Sequence, residues 1–582
     1  MSLPPLANLL AFHDPDALAL ERLAAELASG REFEAVWRPA PGWIAAIAPL
    51  PGSDAESDET RALGVAFAEG RLAVGPAARA AALVDSRPDR LATLPGDFGF
   101  IRFHPDGGVT IVRSCGGLVP FYVWQSGERA CITTRLTDLV RHLPEELQLE
   151  PLVNALWTTG HAVFPDNRTF FTGVSILARG SFARLDSSAA SQIGRYWDPR
   201  PSRLAPPTPE RARHHAERLR TLLVEHLARD LDPEGGNLLT LSGGVDSTSL
   251  AALATRVVRR PIWTWSLVPD TEDLFRHEMS YITPLLEHCG VTRSWIVRLT
   301  PTSRLELLRA APRLAFQIVH PALCALPSVL REAPVGVLFG GEFADEVCGS
   351  PFTLPDWAAA TSFLTLVREF RRLPFGRRNA LVWLRRRFQR LTRLPILPFP
   401  TDLPDFVRRE VLAEYRDWLA RRRREAARDP RPLGLLALRA EQDGFVAMNW
   451  EAASSLGVRR SFPFFNRAVL ELAFECHPAE LIGPGPKKLL RAALRHDARA
   501  ANLERPDRGR FGPEFSTARH TRDHPPSDRL RPIVKDEWFE PNRSLAHGDA
   551  HGLAQLELLV ASLALHRTRA RMPTILPARS LT

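Results

Sequence analysis

The chain has 582 residues, a length that predicts roughly two to four domains, since most domains contain about 100–200 residues. Its composition, 45% hydrophobic and 24% charged, excludes an intrinsically disordered chain and is typical of a globular protein with large cores. The net charge of +9 is carried almost entirely by arginine, because lysine occurs only at Lys487, Lys488 and Lys535.

The amino terminus has no positively charged segment before its short apolar stretch, so we expect no secretory signal peptide. No run of about 18 apolar residues occurs, which argues against a membrane-spanning helix. The six cysteines are scattered and form no C-x-x-C pair, so we expect neither a disulfide framework nor a structural zinc site. These features together predict a cytoplasmic protein.

Residues 1–198 are predicted to form a β-rich domain. Short alternating runs at 98–103, 108–113 and 121–125 are separated by glycine, proline and aspartate, which favour turns. The proline-rich segment 199–209 cannot easily form a helix or an inner strand, so we interpret it as a linker.

The second predicted domain, residues 208–582, begins with alternating helices and strands. The predicted helices lie at 209–228, 247–257 and 278–288, and the predicted strands at 238–241, 262–268, 295–299 and 335–339. Such alternation indicates a doubly wound parallel sheet, in which ligands bind beyond the carboxyl ends of the strands. From about residue 355 onward the chain is predicted to be mostly helical and rich in arginine.

A glycine-containing loop joins the first of these strands to a helix, with the sequence Leu-Ser-Gly-Gly-Val-Asp-Ser at 241–247. Glycines let backbone N–H groups approach an anion, and the helix that starts here adds its partial positive charge. Asp246 suits a loop beside phosphates if it holds Mg²⁺. A plain Gly-Gly turn is the alternative. We predict a cradle of pyrophosphate size formed by Leu241, Ser242, Gly243, Gly244, Asp246 and Ser247.

The loop resembles the pyrophosphatase loop of the N-type ATP pyrophosphatases, which cleave ATP to AMP and pyrophosphate. Within that group the chain resembles the asparagine synthetase family over most of its length. This resemblance implies an ATP pyrophosphatase domain that uses ATP and Mg²⁺ and activates a carboxylate as an acyl-adenylate. It also implies that Leu267 lies on the adenine side, and Glu278 and Tyr281 are smaller matches in the next helix.

The segment 340–349 resembles the family's S-G-E-G-A-D-E loop. By position, Glu342 matches the glutamate implicated in proton transfer or intermediate formation, and Asp345 matches the aspartate that shares Mg²⁺ with the one matched by Asp246. Two carboxylates from adjacent strand ends can clamp a metal that bridges triphosphate oxygens. Gly340 and Gly341 would complete the ATP site. Gly340 replaces the family serine and Phe343 the central glycine, and both departures bear on the shape of the backbone.

Residues 457–467 and 485–491 resemble the family's G-x-x-x-R-x-P-F-x-D and K-x-x-L-R elements. That match makes Lys487 the lysine that neutralises charge developing on phosphate and acyl oxygens, which is a large electrostatic contribution to catalysis. Lys488 would take this role if the register shifted by one residue. Residues 505–511 look like the family's closing segment R-x-K-x-x-F, with arginine where lysine is usual.

The segments 97–100, 115–122, 171–180 and 196–199 resemble the class II glutamine amidotransferase half of the same family. This implies an amidotransferase-like, Ntn-type β-sandwich domain. Those domains use an amino-terminal cysteine, but position 2 here is Ser2, and neither a C-G-I nor an N-G-E segment is present. We therefore expect this domain to be inactive and structural.

If the chain makes no ammonia, the amine must come from the substrate. Among relatives of this kind the chain looks most like a lasso peptide cyclase, a macrolactam synthetase. Such an enzyme adenylates an Asp or Glu side chain of a precursor peptide, and the amine at the peptide's own terminus then closes the ring. Proximity supplies much of the rate, because both groups belong to one bound substrate. The expected partners are this precursor peptide and a leader peptidase or leader-recognition protein.

Three alternatives remain at this point. An asparagine or β-lactam-type synthetase would act on a small amino acid, although the β-lactam branch carries a tyrosine where this chain has Glu342. A tRNA-modifying ATP pyrophosphatase would explain the arginine-rich region 368–424, which is otherwise a peptide-binding surface or a solvated helix. A tRNA-modifying enzyme would not explain the amidotransferase-like domain, so we expect no nucleic acid partner. The third alternative is a non-catalytic scaffold.

Overall fold

The computed structural model describes residues 8–29, 33, 35–48, 63–67, 88–94, 96–158, 164–188, 191–198, 205–299, 321–349, 356–357, 407–426, 441–482 and 487–505. Ser2, most of the linker and residues 506–511 lie outside these ranges. So does the basic region 368–424, apart from its last part.

Two β-sheets form the amino-terminal region. In chain order its strands are β1 (Asn8–His13), β2 (Ala35–Trp37), β3 (Trp43–Ala48), β4 (Leu63–Phe67), β5 (Asp97–Phe103), β6 (Val109–Arg113), β7 (Tyr122–Ser126), β8 (Arg129–Thr133), β9 (Val174–Ile176), β10 (Ser181–Leu185) and β11 (Ser191–Arg195). One sheet has the order β2-β3-β1-β8-β7-β9 and the other β11-β10-β6-β5-β4. Neighbouring strands are antiparallel except for the parallel pair β4–β5.

The two sheets pack face to face, and alternate residues of β1 enter different cores. Leu9 and Ala11 of β1 share a buried cluster with Ile101 and Phe103 of the opposite sheet. Leu10 and Phe12 of β1 face the other way, toward a second cluster that contains residues of the helices. These helices are α1 (Ala17–Ser29), α2 (Leu136–His142) and α3 (Pro151–Thr158). The layering confirms the predicted strands, whereas the Ntn-type assignment stays a prediction.

The second region contains a five-stranded parallel sheet with the order β14-β13-β12-β15-β16. Its strands are β12 (Asn237–Thr240), β13 (Ile262–Pro269), β14 (Ser294–Leu299), β15 (Val337–Phe339) and β16 (Arg459–Ser461). The structure confirms the predicted parallel sheet, and β16 is an edge strand that the sequence did not predict.

Helices of the second region cover both faces of this sheet, except for one (Arg409–Ala426) that packs against the amino-terminal region. They are α4 (Pro209–Asp230), α5 (Val245–Ala252), which continues as a π-helical segment (Leu253–Val257), α6 (Glu272–His288), α7 (Pro321–Glu332), α8 (Ala344–Cys348), α9 (Arg409–Ala426), α10 (Glu441–Ser455), α11 (Arg467–Glu475), α12 (Pro478–Leu481), α13 (Lys488–Leu494) and α14 (Ala500–Leu503). Leu239 packs with residues of α4 and α5, and its neighbour Leu238 packs with residues of α7 and α10. The predicted doubly wound arrangement is therefore confirmed.

The start of α4 follows from its sequence. Thr208 accepts a hydrogen bond from the Arg211 N–H, and Pro209 occupies the first helical position, where no N–H is needed. Among the described helices, none is both long and apolar enough to cross a membrane.

Buried polar contacts join the amino-terminal sheets to the second region. The Arg113 guanidinium of β6 lies 3.5 Å from Asp443 of α10, and both side chains are fully buried. The Glu451 carboxylate of the same helix accepts 3.0 Å hydrogen bonds from the N–H and hydroxyl groups of Thr137. The helix α10 thus forms a junction between the two regions.

Candidate functional site

The glycine loop lies between β12 and α5, as the sequence predicted. Gly243 has a φ of +66°, and a Cβ there would also come within 3.0 Å of Tyr281. Only glycine adopts this backbone shape without strain, so the turn depends on it. The loop begins at the buried Leu241, whose N–H donates to the Trp265 carbonyl of β13 over 2.8 Å.

Hydrogen bonds between the two serines, Ser242 and Ser247, connect the ends of the loop. The Ser242 N–H donates to Ser247 Oγ over 3.1 Å, and the two hydroxyl oxygens are 3.2 Å apart. The Gly244 N–H lies 3.4 Å from Ser242 Oγ. These bonds hold the loop in one shape before any ligand is present, which lowers the entropic cost of binding.

Residues distant in sequence brace the same loop. Arg505 donates to the Ser242 carbonyl over 3.2 Å and to Glu278 over 2.7 Å, and its guanidinium lies 4.3 Å from the centre of the Tyr281 ring. Asn502 donates to the Gly243 carbonyl over 3.1 Å. The family resemblance pointed to Arg505, Glu278 and Tyr281, whereas sequence reasoning missed Asn502. All four act on the loop through packing and hydrogen bonds.

The second polar loop, residues 340–349, follows β15 and lies directly against the first. A Cβ on Gly341 would come within 2.7 Å of Asp246 Cβ, and one on Gly340 would overlap the Thr240 hydroxyl. The two glycines therefore permit the close approach that brings Asp246 and Asp345 together. This agrees with the expectation that loops at neighbouring strand ends share one site.

Lys487 links the two loops. Its ammonium group contacts Asp246 and lies 2.8 Å from Asp345 Oδ1. The side chain is buried, and burial opposes its charge, but the two carboxylates outweigh this effect and raise the pKa of Lys487 above its usual value. Lys488 instead donates to the Ala479 carbonyl over 2.9 Å at the surface. The geometry thus favours Lys487 over Lys488 as the site lysine.

Glu346 is a titratable residue of this site that sequence reasoning did not select. It follows Asp345 on the first turn of α8. Burial, and then repulsion from Asp345, raise the pKa of Glu346 to about 7. No feature of the sequence could have revealed this shift, because it depends on how closely the two loops pack.

Glu342 forms an ion pair with the buried Arg460 of β16. Counting from Gly457 along the G-x-x-x-R-x-P-F-x-D pattern puts Ser461 at the arginine and Asn466 at the aspartate. The chain therefore departs from the family pattern at both of these positions. An arginine one residue earlier meets the glutamate, while Ser461 donates to Asp230 over 2.7 Å.

Phe343 takes the left-handed conformation that the family's glycine would favour. Its φ is +67°, which is strained for a bulky residue and costs roughly 1–3 kcal/mol. Its ring stacks on Phe465 with centroids 3.9 Å apart and meets Phe445 and Phe462 edge-on. Burial of the ring among these aromatics offsets the strain, so the loop retains its turn without glycine.

Leu267 lies near the carboxyl end of β13, next to the strand that carries the glycine loop. It is half-buried and packs on the cluster that contains Leu238 and Trp265. The structure thus brings Leu267, both loops and Lys487 to one edge of the parallel sheet.

The amino-terminal region holds no accessible thiol among its described residues. Cys115 and Cys131 are both buried, and burial raises the pKa of each thiol well above its usual value. A neutral buried thiol is a poor nucleophile. The expectation that the region does not hydrolyse glutamine stays a prediction, since Ser2 lies outside the described residues.

A second polar cluster consists of His215, Cys476 and Glu480, which are all buried. His215 Nδ1 is 2.7 Å from Glu480 Oε2, and the Cys476 sulfur is 3.4 Å from the same nitrogen. Glu480 also accepts from the His477 N–H in a capping box and faces Arg211. Both hydrogen bonds reach Glu480 Oε2, and Arg211 Nε lies 3.8 Å from Oε1, so we interpret the cluster as the attachment of α12 to α4.

Comparison with known proteins gives one family match and several weaker similarities. The model of the asparagine synthase family matches residues 218–561. Putative glutamine-hydrolysing asparagine synthetases of Mycobacterium bovis and Mycobacterium tuberculosis are 30% identical over 232 residues, which is 38% of this chain and 33% of each relative. The match therefore spans about a third of the length of those relatives.

Two solved structures show low similarity. The chain is 15% identical to an NMN synthetase from Francisella tularensis, over 24% of this chain and 57% of that one, with a TM-score of 0.17. It is 14% identical to an ammonia-dependent NAD synthetase from Campylobacter jejuni, over 36% and 94% of the two chains, with a TM-score of 0.20.

Proposed function

The chain belongs to the asparagine synthase family, and we propose that it is an ATP-dependent carbon–nitrogen ligase that activates a carboxylate as an acyl-adenylate. One observation carries the proposal. The buried ammonium of Lys487 bridges Asp246 and Asp345 beside a preshaped glycine loop at the carboxyl edge of a parallel sheet.

The two carboxylates suit a divalent cation. They lie close enough for one cationic group to contact both, since the Lys487 ammonium does so. Carboxylate oxygens are the protein ligands that Mg²⁺ prefers, so Asp246 and Asp345 would hold the ion together with phosphate oxygens of ATP. When bound, Mg²⁺ neutralises charge on the triphosphate.

The chain's own groups would bind the pyrophosphate part of ATP. The N–H groups of the glycine loop and the first turn of α5 form the positive end of a helix, which attracts anions. Ser242 and Ser247 hold that loop in shape. In the first step the substrate carboxylate attacks the α-phosphorus, and the bond to pyrophosphate breaks.

Lys487 and Glu342 would act on the reacting groups. The carboxylates keep Lys487 protonated, so a fixed positive charge is available for the phosphate and acyl oxygens as negative charge develops on them. In the second step the amine attacks the acyl carbon, the amide bond forms and AMP leaves. Glu342, oriented by Arg460, is the candidate acceptor of the amine proton.

We further propose that the carboxylate and the amine belong to one precursor peptide, so that the product is a macrolactam of the lasso type. The support is indirect: the glutamine-site segments are missing from the sequence, and the described thiols of the amino-terminal region are buried. Without ammonia from glutamine, a substrate amine must close the bond. A leader peptidase or leader-recognition protein would be the second partner.

The test is pyrophosphate release from ATP and Mg²⁺ with separate sets of substrates. Precursor peptides and small β-amino acids are supplied without glutamine or ammonia, and aspartate is supplied with ammonia in its own reaction. Release with a peptide, together with loss of one water from its mass, would support the macrolactam synthetase. Release only with aspartate and ammonia, or only with a β-amino acid, would refute the peptide substrate and keep the adenylating ligase. No release with any substrate, with the leader peptidase or leader-recognition protein also supplied, would refute the ligase.

A further inference from the structure

A chain of contacts runs from the amino-terminal sheets to the loop 340–349, which carries Glu342 and Asp345 and is called the acidic loop below. Arg179 lies between β9 and β10, and its side chain is buried. Its guanidinium is 4.4 Å from the centre of the Phe465 ring. Phe465 in turn stacks on Phe343 at 3.9 Å, and Phe343 directly follows Glu342. One aromatic ring therefore separates the amino-terminal region from the acidic loop.

Phe343 is the point in this chain of contacts that needs support. A bulky residue stays in the left-handed conformation only when its surroundings hold it there. Its carbonyl accepts hydrogen bonds of 3.1 Å from the N–H groups of Glu346 and Val347, so its conformation sets the start of α8. The relative positions of Glu342, before it, and Asp345, after it, depend on this turn.

Arg179 is itself fixed by the junction helix α10. Its backbone N–H donates to Asp443 over 3.3 Å, and its Nε lies 3.9 Å from the same carboxylate. Phe445, two residues further along α10, meets Phe343 edge-on. A guanidinium over an aromatic face is attracted to it, and more strongly where water is excluded.

We propose that Arg179 is a positioning residue for the synthetase site, which holds the Phe343 turn through Phe465 and thereby fixes Glu342 and Asp345. The amino-terminal region then contributes to amide synthesis by supporting the acidic loop, without supplying ammonia. The kinetic part of this inference rests on the proposed ligase activity.

The sharpest variant is Arg179→Lys. Lysine keeps the positive charge beside Asp443 but lacks the planar group that lies over Phe465. We expect the kcat of pyrophosphate release to fall about tenfold, because the loop 340–349 is disturbed. The KM for ATP should change less than about twofold, because the glycine loop 241–247 is not disturbed. Arg467→Lys is the matched control. Arg467 also reaches the amino-terminal region, through the Ala92 carbonyl, and is not among the partners in the described ring contacts of Phe343 and Phe465.

A double-mutant cycle separates positioning from general destabilisation. In a chain that already carries Phe465→Leu, the link is broken, so Arg179→Lys should change kcat by less than about twofold. An equal loss in both backgrounds would show that Arg179 acts by another route and would overturn the proposal.

Hydrogen exchange of the loop tests the link without any substrate. Arg179→Lys should speed exchange in peptides covering residues 341–349, where the N–H groups of Ala344, Glu346 and Val347 close the turn. Arg467→Lys should not. If Arg179→Lys does not fold, Phe465→Leu cuts the same link from the other side and should give the same faster exchange. Unchanged exchange at 341–349 would overturn the proposal, whereas a chain that released no pyrophosphate would refute only the ligase.

Discussion

The junction between the two regions and the edge of the parallel sheet both hold paired charges, but they bury them to different extents. At the junction, the side chains of Arg113 and Asp443 are 0% exposed, and Arg113 also donates to the Leu177 carbonyl over 2.6 Å. At the sheet edge, the side chains of Asp246 and Asp345 are 28% and 36% exposed although they share Lys487. Fully buried charges stabilise one packing arrangement, whereas partly exposed charges stay available to a ligand.

The largest effect that tests this contrast is on activity at the sheet edge. Lys487→Met should lower the rate of pyrophosphate release by about a thousandfold or more, because a preorganised charge is removed from the reacting oxygens. The matched control is Lys488→Met, which removes a surface ammonium bonded to the Ala479 carbonyl and should change the rate less than about twofold. Similar losses in both variants would break the assignment of Lys487.

A second effect compares stability at the two places. Asp443→Asn leaves the Arg113 guanidinium buried without its charge partner, so the free energy of unfolding should fall by about 3–5 kcal/mol. Asp345→Asn removes one of two carboxylates that are partly exposed, so the free energy of unfolding should change by less than about 1 kcal/mol. Urea unfolding of both variants measures the difference. Equal losses would mean that both groups of charges are structural.

The smallest effect concerns pH. The pKa of Glu346 is raised to about 7 from an ordinary value of 4.5, so between these values the folded chain binds a proton that the unfolded chain has released. Stability from this group is complete below pH 4.5 and falls as the pH rises through 7, by roughly 1–3 kcal/mol. Urea midpoints at several pH values, without metal, should show a shallower decline in Glu346→Gln. An unchanged slope in that variant would contradict the shift.

Local patterns predicted much of the fold and the centre of the site. The strands β12, β13 and β14 and the helix α4 follow from apolar runs, caps and turn residues, and the glycine loop follows from its own sequence. Such features depend on residues that are close in sequence, so one amino-acid sequence is enough to predict them.

Features that depend on distant contacts could not be predicted. The edge strand β16 has the sequence Arg-Arg-Ser, with no apolar alternation, and forms because β15 lies beside it. For the same reason Arg460 gave no sign that it is buried against Glu342. The turn at Phe343 contradicts local preference and exists only inside its aromatic cluster. The pKa of Glu346 is likewise a property of the assembled loops.

Burial of the five cysteines whose side chains the structure describes gives the two regions separate reporters. Cys115, Cys131, Cys289, Cys348 and Cys476 are all buried, so a thiol reagent reaches them only when the chain opens. Cys131 lies on β8 and Cys348 at the end of α8. The labelling rates of these two residues, followed by mass spectrometry of their peptides, would therefore time the opening of the sandwich and of the acidic loop independently, in the unmodified protein.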